Sequence, residues 1–133
     1  MFTDGTAPVH EPWHPESNWK EDHQFLFAAD LFNLRYYWEA HEEWEAMWHC
    51  TESGTPMRDL LQSLIQGAAA VLQHHMGRHR GADQLLGRAQ TRMDPWLSKG
   101  HSSIYGVLVE KTFGDIENHI QGADWPTLHL GSS

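Results

Sequence analysis

The chain of 133 residues is long enough for one domain with a hydrophobic core. Its 40% apolar and 20% charged residues are typical of a globular protein rather than a disordered one. The formal net charge is −9 and there is no run of Lys and Arg, so we expect no nucleic-acid partner. The single cysteine, Cys50, excludes an intrachain disulfide.

The sequence also lacks membrane and export signals. No apolar run approaches the roughly 20 residues that a membrane-spanning helix needs. The first residues have neither the basic nor the apolar region of a signal peptide. We therefore expect a cytoplasmic protein without a membrane partner.

The first 17 residues differ from the rest because they contain Pro8, Pro12 and Pro15, which fix φ and remove backbone donors. This composition predicts an extended N-terminal arm over residues 1–17. Ser17 at its end is a residue type suited to an N-cap. Residues 18–133 are predicted to form a single helical-bundle domain.

Apolar residues in this domain recur at spacings of three and four, which is typical of helices. We predict five helices, at about Asn18–Asn33, Tyr36–Cys50, Thr55–Gly77, Gly81–Met93 and Val107–Gln121. Thr55 as N-cap before Pro56 marks the third start. Pro95 should end the fourth, because the residue before a proline avoids helical backbone angles. Since no segment alternates long enough for a strand, the sequence predicts an all-α protein, a compact bundle of about five helices with mostly antiparallel neighbours.

The second predicted helix carries a heavy aromatic stripe. At about 100° per residue, one face collects Tyr37, Ala40, His41, Trp44 and Trp48. Large aromatic side chains dominate core packing, so we expect Trp44 and Trp48 to face the core.

A polar arc of about 100° lies beside this stripe and contains His41, Glu42, Glu45 and His49. Side chains four residues apart on a helix can touch, as His41 and Glu45 do in this spacing. Imidazole nitrogen and carboxylate oxygen are ligands for Zn, Mn and Fe. The segment also differs from the His-Glu-x-x-His zinc motif only by Glu45 in place of the second histidine. The arc is either a metal site or an ordinary solvated face with His–Glu pairs.

The third predicted helix adds a glutamine stripe, Gln62, Gln66 and Gln73, followed by His74. The stripe is either an exposed face or a buried hydrogen-bonding seam, and base rates for glutamine favour exposure. If it is buried, the polar arc of the second helix is the expected partner. Other histidines lie among loop-forming residues and receive no role in this interpretation: His10, His14, His79, His101 and His129.

Three stretches of the chain resemble an uncharacterised family, domain of unknown function 309. They are Leu31-Phe32-Asn33 with Tyr37 through Trp48, then Leu64-Ile65-Gln66-Gly67-Ala68-Ala69, then Gly81-Ala82-Asp83-Gln84-Leu85-Leu86. The resemblance covers about Phe25–Met93 and implies a compact helical bundle with no established activity. It also implies that Glu39, His41, Glu42 and Glu45 belong to one site. Members of the family usually have glycine where this chain has Arg35, which places the boundary between the first two helices in question.

One hypothesis is a small metal-dependent enzyme that hydrolyses a small-molecule substrate. His41 and Glu45 would bind the metal, Zn, Mn or Fe, with His74 as third ligand. Glu42 would be a further ligand or the general base for a metal-bound water. The cofactor and substrate are otherwise unknown.

The alternative is a non-enzymatic binding or oligomerisation module, in which the His/Glu/Gln cluster is a structural polar network. Trp38, Trp44 and Trp48 would then form a partner surface, and a homo-oligomer is one assembly that this alternative allows. The two hypotheses leave open whether the protein is an enzyme.

The helical rotation also predicts burial. His41 lies within about 40° of the centre of the aromatic stripe. We therefore expect the side chains of His41 and Glu45 to face the interior or a cleft and to have a polar partner there. Glu43 lies about 100° away and is expected to face water.

Overall fold

The computed structural model describes residues 18–131. A short 3-10 turn, Trp19–Glu21, precedes five helices, α1 (His23–Asn33), α2 (Tyr37–Trp48), α3 (Pro56–His75), α4 (His79–Ser98) and α5 (Val109–Ile120). Two short strands, β1 (Ser103–Ile104) and β2 (Val107–Leu108), lie between α4 and α5. The predicted all-α bundle of five helices is confirmed. The predicted N-terminal arm and the N-cap at Ser17 lie outside the described residues.

The central helix α3 packs against α2, α4 and α5, and α1 packs against α2. The start of α3 is as predicted, because the Thr55 side chain accepts a hydrogen bond from the backbone N–H of Arg58 and Pro56 is the first helical residue. Trp44 of α2 is fully buried, and its ring centroid lies 5.8 Å from that of Phe32. Among residues 18–131, none of the helices combines the length and apolar character needed to cross a membrane.

The turn between α1 and α2 depends on Arg35, which adopts a left-handed φ of 74°, a conformation that favours glycine. The N–H of Tyr36 donates to the carbonyl of Leu31 at 2.8 Å, and the N–H of Arg35 donates to Phe32 at 3.0 Å. These two bonds form the motif that commonly ends a helix. The predicted boundary between the first two helices is therefore confirmed, with an arginine at the left-handed position.

The first predicted helix is shorter than expected, because α1 begins only at His23. Asp22 has extended backbone angles and caps α1, with its carboxylate accepting from the N–H of Phe25 at 3.0 Å. The hydroxyl of Tyr105 donates to the second oxygen of the same carboxylate at 2.7 Å. Because these two hydrogen bonds fix the Asp22 side chain as a cap, α1 does not extend toward Trp19.

The predicted end of the fourth helix was wrong, because Pro95 lies inside α4. Proline removes one backbone hydrogen bond, but tertiary contacts retain the helix beyond it. The indole N–H of Trp96 donates to the Asp59 carboxylate of α3 at 2.7 Å. Trp96 and Leu97 also pack against the core. The contacts of this last turn stabilise the helix by more than the lost backbone hydrogen bond destabilises it.

The expectation of no strand was also wrong. Ser103 pairs with Leu108 and Ile104 with Val107 in an antiparallel hairpin. Its two-residue turn has positive φ at both positions, 47° at Tyr105 and 80° at Gly106, as tight hairpins require. Strands of two residues are too short to show a period-two pattern.

The hairpin turn yields a prediction about two glycines. Gly106→Ala should lower the free energy of unfolding by about 2–4 kcal/mol, because a Cβ there would meet the Trp19 indole in addition to straining the backbone. Gly100 also has positive φ, 95°, but faces open space. Gly100→Ala should therefore cost only about 1–2 kcal/mol. Urea unfolding followed by circular dichroism measures both, and equal losses would contradict the close packing of Trp19.

Candidate functional site

His41 lies on α2 at the edge of its buried face. Its side chain is 18% exposed, and Nε2 lies 3.7 Å from Oε2 of Glu45, one helical turn away. The ring stacks on Trp38 with centroids 5.2 Å apart. Its Nδ1 is buried and has no hydrogen-bond partner among the described residues. The predicted partial burial of His41 is confirmed, whereas its expected partner Glu45 lies at 3.7 Å, beyond hydrogen-bond distance.

The predicted orientation of the two glutamates was wrong, because Glu45 was expected to face the interior and Glu43 to face water. The Glu45 side chain is 51% exposed, whereas Glu43 is half-buried. The buried residues of α2 are Tyr37, Ala40, Trp44 and Met47. Because Met47 rather than Trp48 completes the inward face, its centre lies about 40° from the predicted one. That rotation turns Glu45 toward solvent and brings Glu43 to the edge of the core.

The remaining predicted site residues lie apart from this pair. Glu42 and Glu39 are exposed on α2. His74, near the end of α3, has ring contacts with three other histidines, His75, His79 and His119. Within residues 18–131, no three His, Cys, Asp or Glu side chains converge in a group that could hold a metal ion. The contacts thus join His41 to Glu45 and place His74 in a different neighbourhood.

A cleft of about 270 Å³ separates α2 from α3 near the end of the polar arc. It is lined by Glu45, Trp48, His49, Gln62, Ile65 and Gln66. All three residues of the glutamine stripe are half-buried, so the stripe is neither a fully exposed face nor a fully buried seam. The Gln66 side-chain oxygen accepts a hydrogen bond from Arg92 of α4. The hydrogen-bond partner of Gln66 is therefore on α4, and not on α2 as expected.

The three tryptophans of α2 have different surroundings. Trp44 is buried in the core as predicted, so it offers no surface to a partner. Trp48 is half-buried, with the Arg58 guanidinium 3.9 Å from its ring centroid. Arg58 is itself held by the carbonyl of Thr51 at 2.8 Å. Of the three, only Trp38, 56% exposed, is available to a partner.

Four apolar side chains on α1, α2 and the turn between them are each more than half exposed. We call them the exposed apolar surface: Phe27 (54%), Leu34 (66%), Tyr36 (54%) and Trp38 (56%). Phe27 and Leu34 are seven residues apart, which places them on one side of α1. Tyr36 and Trp38 follow Leu34 at the end of the turn and in the first turn of α2. Exposed carboxylates flank these residues on both helices at Asp30, Glu39 and Glu42.

The four-histidine neighbourhood was missed by sequence reasoning. His79 was assigned no role, yet its Nδ1 lies 3.3 Å from Nδ1 of His74. Their separation of five residues across the α3–α4 turn was an available signal. His119, on α5, has no sequence neighbour that could have connected it to α3. Only the packing of α5 against α3 brings it there.

Trp125 connects this neighbourhood to α2. Its ring stacks on Tyr37 with centroids 6.2 Å apart, and the Arg35 guanidinium lies 4.6 Å from its centroid. Burial raises the pKa of Tyr37 to about 12, while the charge of Arg35 opposes that rise. The Tyr37 hydroxyl has no hydrogen-bond partner among residues 18–131.

Comparison with known proteins gives one family match. Residues 25–85 match the family model described as Domain of unknown function (DUF309). The matched segment runs from α1 into α4, and the match confirms the predicted resemblance to this family. No curated protein gives a significant match to the chain.

The buried hydroxyl of Tyr37 gives a prediction about pH. A pKa raised from 10 in the unfolded chain means that the fold favours the neutral phenol. The contribution of the neutral phenol to the stability of the fold is complete below pH 10 and is lost as the pH rises toward 12. Tyr37→Phe should therefore have nearly the same free energy of unfolding as the wild type at pH 7. Above pH 10 it should lose less stability than the wild type. Tyr36→Phe, at the exposed neighbour, is the control, and identical pH profiles for wild type and Tyr37→Phe would contradict the burial.

Proposed function

We propose that this DUF309 protein is a binding module that docks a basic amphipathic helix of a partner protein on the exposed apolar surface. The observation that carries the proposal is the exposure of four large apolar side chains on α1, α2 and the turn between them. Large apolar side chains that remain exposed beside polar groups are typical of a protein-interaction site. For the non-enzymatic alternative, these four side chains are the proposed binding surface.

The charge around the surface favours a basic partner. Exposed Asp30, Glu39 and Glu42 flank the apolar side chains, and the whole chain carries a formal charge of −9. Lys and Arg on a partner would meet these carboxylates, whereas phosphate groups of nucleic acid or anionic lipid would be repelled. A helix with one apolar and one basic face satisfies both requirements.

A second copy of the chain fits this surface less well. Two apolar surfaces meeting face to face would bring their carboxylates together. The arginine-bearing side of α4, at Arg88 and Arg92, has Gln84, Gly87 and Thr91 beside it. That side offers positive charge but no large apolar side chain to cover Trp38. A separate partner therefore matches better than self-association.

Metal-dependent hydrolysis at α2 is the second candidate. It is favoured by the arrangement of His41, whose ring is held by Trp38 and whose Nε2 approaches Glu45 at 3.7 Å. Glu42 would serve as base or ligand, and His74 would have to leave its histidine neighbours to become the third ligand. This candidate requires a metal bound through His41.

Binding of a labelled peptide tests the docking proposal. A short amphipathic peptide of leucine and lysine should bind, as measured by fluorescence anisotropy, and Trp38→Ala should weaken binding about tenfold or more. Met76→Ala is the matched control, because Met76 is equally exposed (59%) but lies at the end of α3. A leucine–glutamate peptide should not bind.

Equal affinity of the leucine–lysine peptide for wild type, Trp38→Ala and Met76→Ala would show only general attraction to an acidic protein and would contradict the proposal. Sedimentation of the same variants reports on self-association. A wild-type dimer that is lost in Trp38→Ala would replace the separate partner with a second copy.

A further inference from the structure

A cavity of about 390 Å³ lies between α4 and α5, and every described residue that lines it belongs to one of these two helices. Small-molecule sites have volumes of roughly 300–1,000 Å³, so the cavity is large enough for such a ligand. Three of its lining side chains are buried in the bundle and give it an apolar floor: Met93, Val109 and Phe113. The exposed apolar surface lies on α1, α2 and the turn between them, so the two regions share no residue.

A glycine in the middle of α5 leaves this space unfilled. Gly114 lines the cavity, and a Cβ at this position would have no atom within 4 Å. Glycine inside a helix is less favourable than alanine. Close helix packing accounts for the glycine at Gly67, where a Cβ would lie 2.9 Å from the Ile116 side chain. Gly114 has no such neighbour, and the consequence of its missing side chain is the open space beside Phe113.

A hydrogen bond between the two helices fixes one wall of the cavity. The side-chain amide of Gln90 on α4 donates to the carboxylate of Glu117 on α5 at 2.8 Å. Gln90 lines the cavity, whereas Glu117 lies outside the lining, so this bond joins the helices without filling the space. Because the walls are already held in place, a ligand would bind with little loss of side-chain freedom.

The charged residues that line the cavity are both acidic, Asp94 on α4 and Glu110 on α5. Both are exposed, and neither has a hydrogen bond or an ion pair within residues 18–131. A carboxylate without a partner can accept a charge-assisted hydrogen bond from a ligand. One such group on each helix, beside an apolar floor, is complementary to a ligand with a cationic end and an apolar end.

We propose that this cavity binds a small organic amine in its ammonium form. The ammonium group donates hydrogen bonds to Asp94 and Glu110, and the apolar part of the ligand covers Met93 and Phe113. The same two carboxylates repel anionic ligands. A partner helix is about 10–12 Å in diameter, whereas a space of about 390 Å³ is only about 7 Å across. The volume therefore favours a small molecule over the kind of helix proposed for the exposed apolar surface.

Hexylamine is the probe for this site, because it joins an ammonium group to an apolar chain. Its pKa is near that of lysine, about 10.4, so it is protonated at pH 7. In a nuclear magnetic resonance titration it should shift the methyl signals of Met93, Leu97 and Val109, with a Kd on the order of 1 mM for so small a ligand. Hexan-1-ol, which has the same chain without the charge, should bind more weakly. Hexanoate should cause no shift.

Substitutions test the charged and the apolar parts of the site separately. Asp94→Asn and Glu110→Gln should each weaken hexylamine binding about threefold or more. Asp83→Asn is the matched control, because it removes the same charge from an exposed position of α4 outside the cavity. Gly114→Leu should weaken binding about tenfold, since the new side chain occupies the space. Gly87→Leu, at an exposed glycine of α4 where a Cβ would also have no atom within 4 Å, should bind as wild type.

Absence of methyl shifts with hexylamine, or unchanged affinity in Gly114→Leu, would overturn the proposal. Equal weakening by Asp83→Asn and Asp94→Asn would also overturn it, because it would show only a general attraction of cations to an acidic protein. Displacement of hexylamine by the leucine–lysine peptide would assign the cavity to a protein partner instead of a small amine. Trp38→Ala should bind hexylamine as wild type, so this proposal and the docking proposal can fail independently.

Discussion

The burial of one face of α2 is the packing constraint on which the functional surfaces depend. Tyr37, Ala40, Trp44 and Met47 face inward, where Trp44 meets Phe32 and the helix packs on α3. Once this face is buried, the helical rotation determines every other side chain of α2. His41 is held at the boundary, and the carboxylates and Trp38 are directed outward. The exposed apolar surface and the His41–Glu45 pair are both consequences of that setting.

Trp125 performs a second organising role, because it links elements that are distant in sequence. It contacts Tyr37 at the start of α2, His75 at the end of α3 and His119 at the end of α5. Arg35 adds its guanidinium to the same ring. A left-handed arginine costs about 1–2 kcal/mol relative to glycine. A cation–π contact of about 0.5–2 kcal/mol offsets much of that cost. The arginine therefore ends α1 and also secures Trp125.

The sequence predicted the helices well where local signals were strong. Thr55 and Pro56 marked the start of α3, and regular apolar spacing located α2 and α5 within about two residues. Pro95 was misleading, because the local rule against a preceding helical residue took no account of the Trp96–Asp59 bond to α3. The hairpin was missed because two-residue strands carry no readable period.

The candidate site was harder to predict, because it depends on a small rotation and on long-range contacts. Met47 and Trp48 are both apolar, so periodicity alone did not reveal which of them completes the buried face. That choice decided the exposure of Glu43 and Glu45. Similarly, His119 and His75 are 44 residues apart, and only the packing of α5 against α3 connects them.

The rotation of α2 can be measured most directly through its three tryptophans. In protein labelled with 5-fluorotryptophan, a soluble gadolinium complex should broaden the fluorine resonance of Trp38 strongly and that of Trp48 weakly, and should leave Trp44 sharp. Single Trp→Phe variants assign the three resonances. The expected order follows from exposures of 56% for Trp38 and 0% for Trp44, with Trp48 between them. Broadening of Trp44 to the same degree as Trp38 would contradict the buried face on which the account rests.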